Sequence, residues 1–291
     1  MKTIGFHIFK ATIRFITLLP LPVLYVFSDI LFVSLYYFPS YRRKVVENNL
    51  RNAFPELSEK ERKIIARKFY RHLADIFIET AKLSNLSREE LLRRYRFTNP
   101  ELLDRLYDEG KDVAIVHSHY NNWEWMIFLP LVLKHHVVTV YKPLQNVQFD
   151  KWFNEIRSRY GIELAPMNEV IRVIINNRRQ NIRSVYGFIS DQTPAKPDIR
   201  YRTRFLNQDT PVFLGVEKIA LKYEMPVVFF NVQKIKRGYY ELTAELLFED
   251  TKGLSEFEIT NAHVRRLEEV IREKPWFWLW SHKRWKHKKP V

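Results

Sequence analysis

His119 and Glu124 are the residues of this sequence whose types and spacing best fit acid–base chemistry. A neutral imidazole accepts a proton from a hydroxyl through one ring nitrogen, and a carboxylate on the other N–H stabilises the imidazolium that forms. On a continuous helix the two side chains would point about 140° apart. The pairing therefore needs a bend, with His119 in a loop and Glu124 in the first helical turn, where the helix N-terminus favours negative charge.

The elements that position this pair are predicted from the residues on either side. Asp112 to Val116 is a short continuous apolar run, typical of a buried parallel strand that ends at His117. Asn121 is a candidate helix N-cap, and the apolar residues that continue the helix are Trp123, Met126, Ile127 and Leu131. Loops beyond the carboxyl ends of strands bind ligands in open α/β sheets. Both histidines are therefore predicted to lie in a ligand-facing loop.

Each of these residues also has a structural interpretation. Asn121 and Glu124 have the spacing of a capping box, in which the glutamate only accepts a backbone hydrogen bond. His117, His119 and Glu124 have the side chains of a zinc site. His119 alone would be an ordinary hydrogen-bonded histidine, and Ser118 lacks the pattern of a nucleophile elbow. We treat His117 as structural, because strand alternation would turn it away from His119.

Further along the chain, strands alternate with helices. Strands are predicted at Val137 to Tyr141, Ser184 to Ile189, Val227 to Val232 and Tyr239 to Phe248, and helices at Phe149 to Tyr160 and Glu256 to Lys274. Asp191 ends the third strand region at the ligand-facing edge. The alternation predicts an α/β fold with a central mixed, mainly parallel sheet flanked by helices.

The N-terminal part is expected to associate with a membrane. Phe15 to Phe38 contains no Lys or Arg and is long enough to span a bilayer as one helix, but Pro20, Pro22 and Asp29 interrupt it. A broken helix in the membrane interface is the alternative, and the segment does not resemble a cleaved signal peptide. The predicted divisions are an anchor or interfacial helix at 1–40 and a second domain at 41–291, made of a helical lead-in at 41–110 and an α/β core at 111–291.

Composition narrows the possible partners. A formal net charge of +15 favours anionic partners, and 15% aromatic residues favour a membrane surface among them. The basic tail Lys283 to Lys289, with Trp280 and Trp285 interleaved, fits an interfacial patch, although a single-stranded nucleic acid would also suit it. The absence of cysteine excludes disulfides, thiolate metal sites and cysteine nucleophiles.

The segment HYNNWE, His119 to Glu124, resembles the histidine-x4-acid motif of the glycerolipid acyltransferase superfamily, and most closely its late acyltransferases of lipid A biosynthesis. Further similarity follows in the family's order through YKPLQNVQFD (141–150), RSRYG (157–161), FISDQTP (188–194), TPVFLGVEKIA (210–220) and LWSHKRWKHK (279–288). The resemblance covers nearly the whole chain. The ordered set of motifs makes it specific, whereas the His–Glu spacing alone would be weak.

The resemblance implies a membrane-bound enzyme at the cytoplasmic face of the bacterial inner membrane. It would transfer a fatty acyl group from an acyl thioester, on acyl carrier protein or coenzyme A, to a hydroxyl of a lipid A precursor, without a metal or another cofactor. His119 would be the base and Glu124 its orienting partner. Residues implied or considered for substrate binding are Lys142, Arg157, Arg159, Asp191, Gln192 and Arg204, with Arg200 and Arg202 on the same basic rim.

The related enzymes usually have arginine where this chain has Lys142, and lysine keeps the charge but loses the bidentate fork.

Two alternatives to that interpretation stay open at this point. The acceptor could instead be a lysophospholipid or an amino-acid lipid. A non-catalytic protein that binds membranes or nucleic acid would share the charge and the aromatic residues but would not need the His–Glu loop.

Overall fold

One seven-stranded sheet forms the centre of the computed structural model, which describes residues 3–38 and 41–287. Its strands are β1 (Tyr95–Phe97), β2 (Val113–His117), β3 (His136–Tyr141), β4 (Glu163–Pro166), β5 (Ser184–Ile189), β8 (Val227–Lys236) and β9 (Tyr239–Phe248). The order across the sheet is β1-β9-β8-β2-β5-β3-β4, and of the neighbouring pairs within it β8 and β9 are antiparallel. The predicted mixed, mainly parallel sheet is confirmed.

β2 lies in the middle of this sheet between β5 and β8, and all five of its residues are buried. Its side chains alternate between two apolar cores. Val113 and Ile115 pack into one cluster with the N-terminal helices, while Ala114 and Val116 pack into the other. Burial on both faces explains the continuous apolar run that predicted the strand.

Helices cover the sheet. They are α1 (Thr3–Ile16), α2 (Leu21–Tyr37), α3 (Arg43–Ala53), α4 (Glu59–Lys82), α5 (Arg88–Arg94), α6 (Glu101–Asp108), α7 (Val147–Arg157), α8 (Val170–Arg179), α9 (Gly215–Tyr223) and α10 (Glu258–Glu273). The predicted helical lead-in also contributes β1 to the sheet edge. A two-stranded antiparallel ribbon, β6 (Tyr201–Phe205) and β7 (Gln208–Val212), was not predicted.

The N-terminal apolar run forms parts of two helices instead of one. α1 ends at Ile16, and α2 begins at Leu21 with Pro20 as its N-cap and Pro22 in its first turn, where a missing N–H costs no helical hydrogen bond. Within the described residues, we find no helix with the length and apolar character needed to cross a bilayer.

α2 packs against α4, the long helix of the lead-in. Tyr25 donates a hydrogen bond to Glu79 at 2.8 Å and Ser28 donates one to Asp75 at 2.7 Å, both in buried surroundings. A capping box starts α4: the Ser58 hydroxyl accepts from the Glu61 N–H, and the Glu61 carboxylate accepts from the Ser58 N–H at 2.7 Å. The N-terminal segment is therefore joined to the body of the protein by specific buried contacts.

Candidate active site

The loop after β2 has a different backbone from the one predicted. Asn121 has a left-handed φ of 54°, and its side-chain amide donates to the Val232 carbonyl at 2.7 Å, so it does not cap a helix. The cap is Asn122, whose side-chain oxygen accepts from the Trp125 N–H at 3.1 Å. The segment that follows is a 3₁₀ helix, Glu124–Leu131, in place of the predicted α-helix, and Pro130 lies inside it. The predicted Asn121–Glu124 capping box is wrong.

His119 is held by Asp191. Asp191 Oδ1 lies 2.7 Å from His119 Nδ1, and Asp191 Oδ2 accepts from the His119 backbone N–H at 3.0 Å and from the Trp278 indole N–H at 2.8 Å. Burial alone would raise the pKa of Asp191, but the imidazole and these donors hold it at about 2. The ionised carboxylate keeps the proton on Nδ1 and leaves Nε2 as the acceptor.

The other ring nitrogen of His119 faces Gln192. The Gln192 amide nitrogen lies 3.1 Å from His119 Nε2 and donates to it, in agreement with the tautomer that Asp191 selects. The Trp123 ring packs edge-on against the imidazole with the ring centroids 5.0 Å apart. Asp191, Gln192 and Trp123 thus fix the position of the imidazole, and the Gln192 amide occupies the lone pair of Nε2.

Glu124 contacts Arg157 rather than His119. The guanidinium forms a bidentate pair with the carboxylate, with Arg157 Nη2 to Glu124 Oε1 at 2.7 Å and Arg157 Nε to Glu124 Oε2 at 3.1 Å. Desolvation acts to raise the pKa of Glu124, and Arg157 outweighs it so that the pKa is lowered. The hydrogen bond expected between Glu124 and the imidazole N–H is made by Asp191, 72 residues further along the chain.

Sheet register explains why Asp191 reaches His119. β2 and β5 are parallel neighbours, and His117 pairs with Ile189. The ladder continues one step beyond the strands, where the Ser190 N–H donates to the His117 carbonyl at 3.2 Å. Two residues beyond that pair, the segments that follow β2 and β5 still run side by side, so Asp191 lies next to His119.

A cavity of about 760 Å³ opens over His119, a size typical of small-molecule sites. Many of its lining residues are apolar and come from the sheet and the 3₁₀ helix: Ile115, Met126, Ile127, Leu129, Val137, Val185 and Phe230. Its charged or polar lining includes Glu124, Lys142, Arg157, Asn168, Asp198, His282 and Lys286. Lys142 and Lys286 are exposed, and the structure shows no carboxylate partner for either among the described residues.

The C-terminal segment forms part of this site. The Leu279 N–H donates to the His119 carbonyl at 3.2 Å, and Tyr120 bridges to Trp278. His282 accepts from the Thr193 N–H at 3.3 Å, and burial lowers its pKa to about 4, so it is a neutral wall of the cavity. The sequence patterns indicated a membrane or nucleic-acid surface for this tail and did not place it in the site. The motif LWSHKRWKHK was the signal that could have placed His282 and Lys286 in the site.

Other predicted residues lie elsewhere. Arg159 donates to the carbonyls of Leu83 and Ser84, and neither Arg159 nor Arg204 lines the cavity. The expected interfacial patch of tail tryptophans is wrong, because Trp280 and Trp285 are buried and hydrogen-bonded to the Pro275 carbonyl and the Thr210 hydroxyl. Lys288 and Lys289 lie outside the described residues.

The zinc interpretation of the loop has no support in the described part of the chain, where we find no group of three His, Asp or Glu side chains arranged around a metal position. His119 Nδ1 and Glu124 are already paired with Asp191 and Arg157. His117 is buried, and desolvation lowers its pKa to about 4, as suits a neutral structural histidine.

A histidine paired with a buried carboxylate, beside a cavity at the carboxyl edge of a mainly parallel sheet, is an arrangement that α/β proteins can use for general-base chemistry. Comparison with known families then makes the assignment specific. Residues 1–287 match the model for bacterial lipid A biosynthesis acyltransferases, and the chain belongs to that family. The resemblance found in the sequence motifs is confirmed.

A curated protein of Haemophilus influenzae (strain ATCC 51907 / DSM 11121 / KW20 / Rd), named lipid A biosynthesis acyltransferase, is 21% identical over 149 residues. The match covers 50% of this chain and 46% of that protein, so the chain spans about half the length of the curated relative it matches.

Proposed function

We propose that this protein transfers a fatty acyl group from an acyl thioester to a hydroxyl of a lipid A precursor. The observation that carries the proposal is the imidazole of His119, fixed by Asp191 with Nε2 as acceptor, in a cavity that combines apolar walls with two exposed lysines. Family membership supports the reaction type and the acceptor.

In this mechanism His119 Nε2 takes the proton of the acceptor hydroxyl as its oxygen attacks the thioester carbonyl carbon. The new C–O bond forms, the C–S bond breaks, and the thiolate leaves with the proton that the imidazolium returns. Asp191 keeps the proton on Nδ1 and stabilises the imidazolium, which is the part that sequence reasoning gave to Glu124. Before this can happen the Gln192 amide has to move off Nε2.

The remaining charged residues fit the binding of the two substrates. Glu124 holds Arg157 at the cavity wall, where the guanidinium can face an anionic group. Lys142 and Lys286 supply point charges for phosphate, and the apolar lining suits a methylene chain. A net charge of +15 complements the acidic surface of an acyl carrier protein as donor.

The exposed apolar faces of α1 and α2 fit attachment to the cytoplasmic face of the inner membrane. Apolar side chains exposed by more than half include Ile8, Phe15, Leu18, Val26 and Ile30. α2 buries one apolar face against α4 and leaves another uncovered, and a patch of this kind marks an interaction surface. We place these helices in the membrane interface, with the cavity within reach of lipid substrates.

The test compares lipids from cells with and without the gene by mass spectrometry. We expect the deletion to accumulate a lipid A species short by one acyl chain, and we expect the wild-type gene, but not His119→Ala, to restore the mass. The purified protein should make the same product from an acyl carrier protein thioester or acyl-CoA. An unchanged lipid A profile together with acylation of a lysophospholipid would reject the proposed acceptor.

A further inference from the structure

Glu79 is a buried carboxylate outside the cavity. It lies on α4, has no exposed surface, and accepts hydrogen bonds from three different parts of the fold. Tyr25 of α2 donates to Oε1 at 2.8 Å, while Tyr240 of β9 and the Asn122 side-chain amide donate to Oε2 at 2.7 and 2.6 Å. The Glu79 backbone carbonyl also accepts from the Trp125 indole at 3.0 Å.

A buried ionised carboxylate destabilises the folded state unless hydrogen bonds compensate for its desolvation. Desolvation raises the pKa of Glu79, while the Lys234 charge and the hydrogen bonds from Tyr240 and Tyr25 act to lower it. Both oxygens are used by donors, and a carboxylate is the side chain that accepts at every lone pair and offers no N–H. The three donors are therefore matched to an acceptor-only group.

Asn122 connects Glu79 to the loop that carries His119. Its amide nitrogen binds Glu79 while its oxygen caps the 3₁₀ helix at Trp125, so one fully buried side chain fixes the backbone at that point. The next two residues are Trp123, whose ring packs on the His119 imidazole, and Glu124, which holds Arg157. Asp191 and the C-terminal segment hold the other side of the loop.

We propose that Glu79 is a positioning residue for catalysis, which sets the place of Trp123 and Glu124 around His119 through its hydrogen bond to Asn122. The proposal rests on the proposed function, because its readout is acyl transfer. Since Tyr25 of α2 binds the same carboxylate, the anchor also joins the exposed N-terminal helix to the loop.

Glu79→Gln tests this anchor, because the amide keeps the shape but turns an N–H₂ group towards the donors. We expect kcat to fall about 10- to 100-fold, as for small displacements of reacting groups, with KM within about threefold. Asn122→Ser is the second variant: serine still caps Trp125 but is too short to reach Glu79, and we expect a similar loss of kcat.

The reciprocal pair Glu79→Gln with Asn122→Asp separates positioning from general stability. In this double variant the new amide on α4 can donate to the new carboxylate in the loop, that carboxylate can still cap Trp125, and the Tyr240 hydroxyl can rotate to accept. We expect the double variant to recover kcat to within about threefold of wild type, a coupling that independent sites do not show. Tyr25→Phe is the matched control, because it removes one donor from Glu79 and leaves the Asn122 bond; it should lower the melting temperature and keep kcat.

Two results would overturn the inference: wild-type kcat in Asn122→Ser, or a folded double variant that is no more active than Glu79→Gln. Circular dichroism and melting curves on the same preparations show whether each variant is folded. If Glu79→Gln alone does not fold, Asn122→Ser and the double variant decide. Failure of the wild-type protein to transfer acyl groups would instead reject the proposed function.

Discussion

One carboxylate, that of Asp191, binds both the ring and the backbone of His119, with Oδ1 2.7 Å from Nδ1 and Oδ2 3.0 Å from the peptide nitrogen. The two contacts fix the tautomer of the imidazole together with the position of its loop. A carboxylate from the segment after β5 thus makes the contact with the imidazole that was expected of Glu124.

Asp191→Asn should remove most of the activity. The amide can donate to Nδ1 and so favours the tautomer with the proton on Nε2, where the base must be free. In a serine protease, replacing the aspartate of the catalytic triad by asparagine lowers kcat about 10,000-fold for the same reason, and we expect a loss of about 1,000-fold or more here. Initial acyl-transfer rates check this, and a rate within about threefold of wild type would remove Asp191 from the mechanism.

His119→Ala should leave the protein folded and attached to membranes but stop acyl transfer. The imidazole is part of a loop that Leu279 and Asn121 also hold through other hydrogen bonds, so the fold does not depend on it. Loss of a general base costs about 100- to 10,000-fold. Turnover at the wild-type rate in a folded His119→Ala preparation would contradict the assignment of the base.

Glu124→Gln should lower stability, because it leaves the Arg157 guanidinium partly buried without its counter-ion. Arg157 is 27% exposed and Glu124 12% in their side chains. Breaking such a pair from one side costs several kcal/mol in a full interior, and with this exposure we expect about 1–3 kcal/mol. Glu124→Gln with Arg157→Met should recover most of that loss in urea unfolding. Equal stability of wild type and Glu124→Gln would show that the pair is weak.

Stability should fall as the pH drops from about 6.5 to about 4. Burial lowers the pKa of His117 and of His263 to about 4 from an ordinary 6.5. The unfolded chain therefore binds protons in this range before the folded one does, which favours unfolding at the lower pH. His263→Leu should reduce the slope by at most about 1.4 kcal/mol per pH unit. Urea unfolding at several pH values measures it, and an unchanged slope would argue against a neutral buried His263.

Membrane attachment through α2 can be tested without deleting the helix, whose buried residues Leu21 and Leu24 belong to the core. Val26→Lys with Ile30→Lys places two charges on the exposed face, where the side chains are 59% and 62% exposed. We expect weaker sedimentation with vesicles of uncharged lipid, to which the added lysines have no electrostatic attraction, and an unchanged melting temperature. Ile171→Lys on α8 is the control. Equal loss of binding in both variants would contradict an N-terminal site.

The apolar run Ser184–Ile189 predicted a strand with the observed bounds because burial on two faces leaves a strong pattern. Tyr239–Phe248 was predicted from its alternation and also has the predicted bounds, because alternate residues of this strand are buried. No comparable sequence pattern shows which strands are neighbours in the sheet. Without knowing that β2 and β5 are neighbours, the sequence offers Glu124 as the carboxylate nearest to His119, although Asp191 was recognised at the ligand-facing edge.

For the C-terminal tail, the sequence predicted the wrong environment of the tryptophan side chains. Alternating tryptophans and lysines resemble an interfacial patch, yet Trp280 and Trp285 find hydrogen-bond partners inside the protein, and the described lysines Lys283 and Lys286 remain exposed. The local amino-acid composition is compatible both with tryptophans in an interfacial patch and with tryptophans buried in the protein. Tertiary packing against α3 decides between them, since Asn49 of that helix donates to the Trp280 and His282 carbonyls.

The two outermost strands of the sheet are also its shortest. β1 has three residues and β4 has four, the last of them Pro166, which has no N–H to offer. The ten-residue strands β8 and β9 pair with each other, and three residues of each also pair with β2 or β1 on the other side. The short outermost strands β1 and β4 offer a second copy of the chain few free backbone groups, which disfavours edge-to-edge pairing at these two strands.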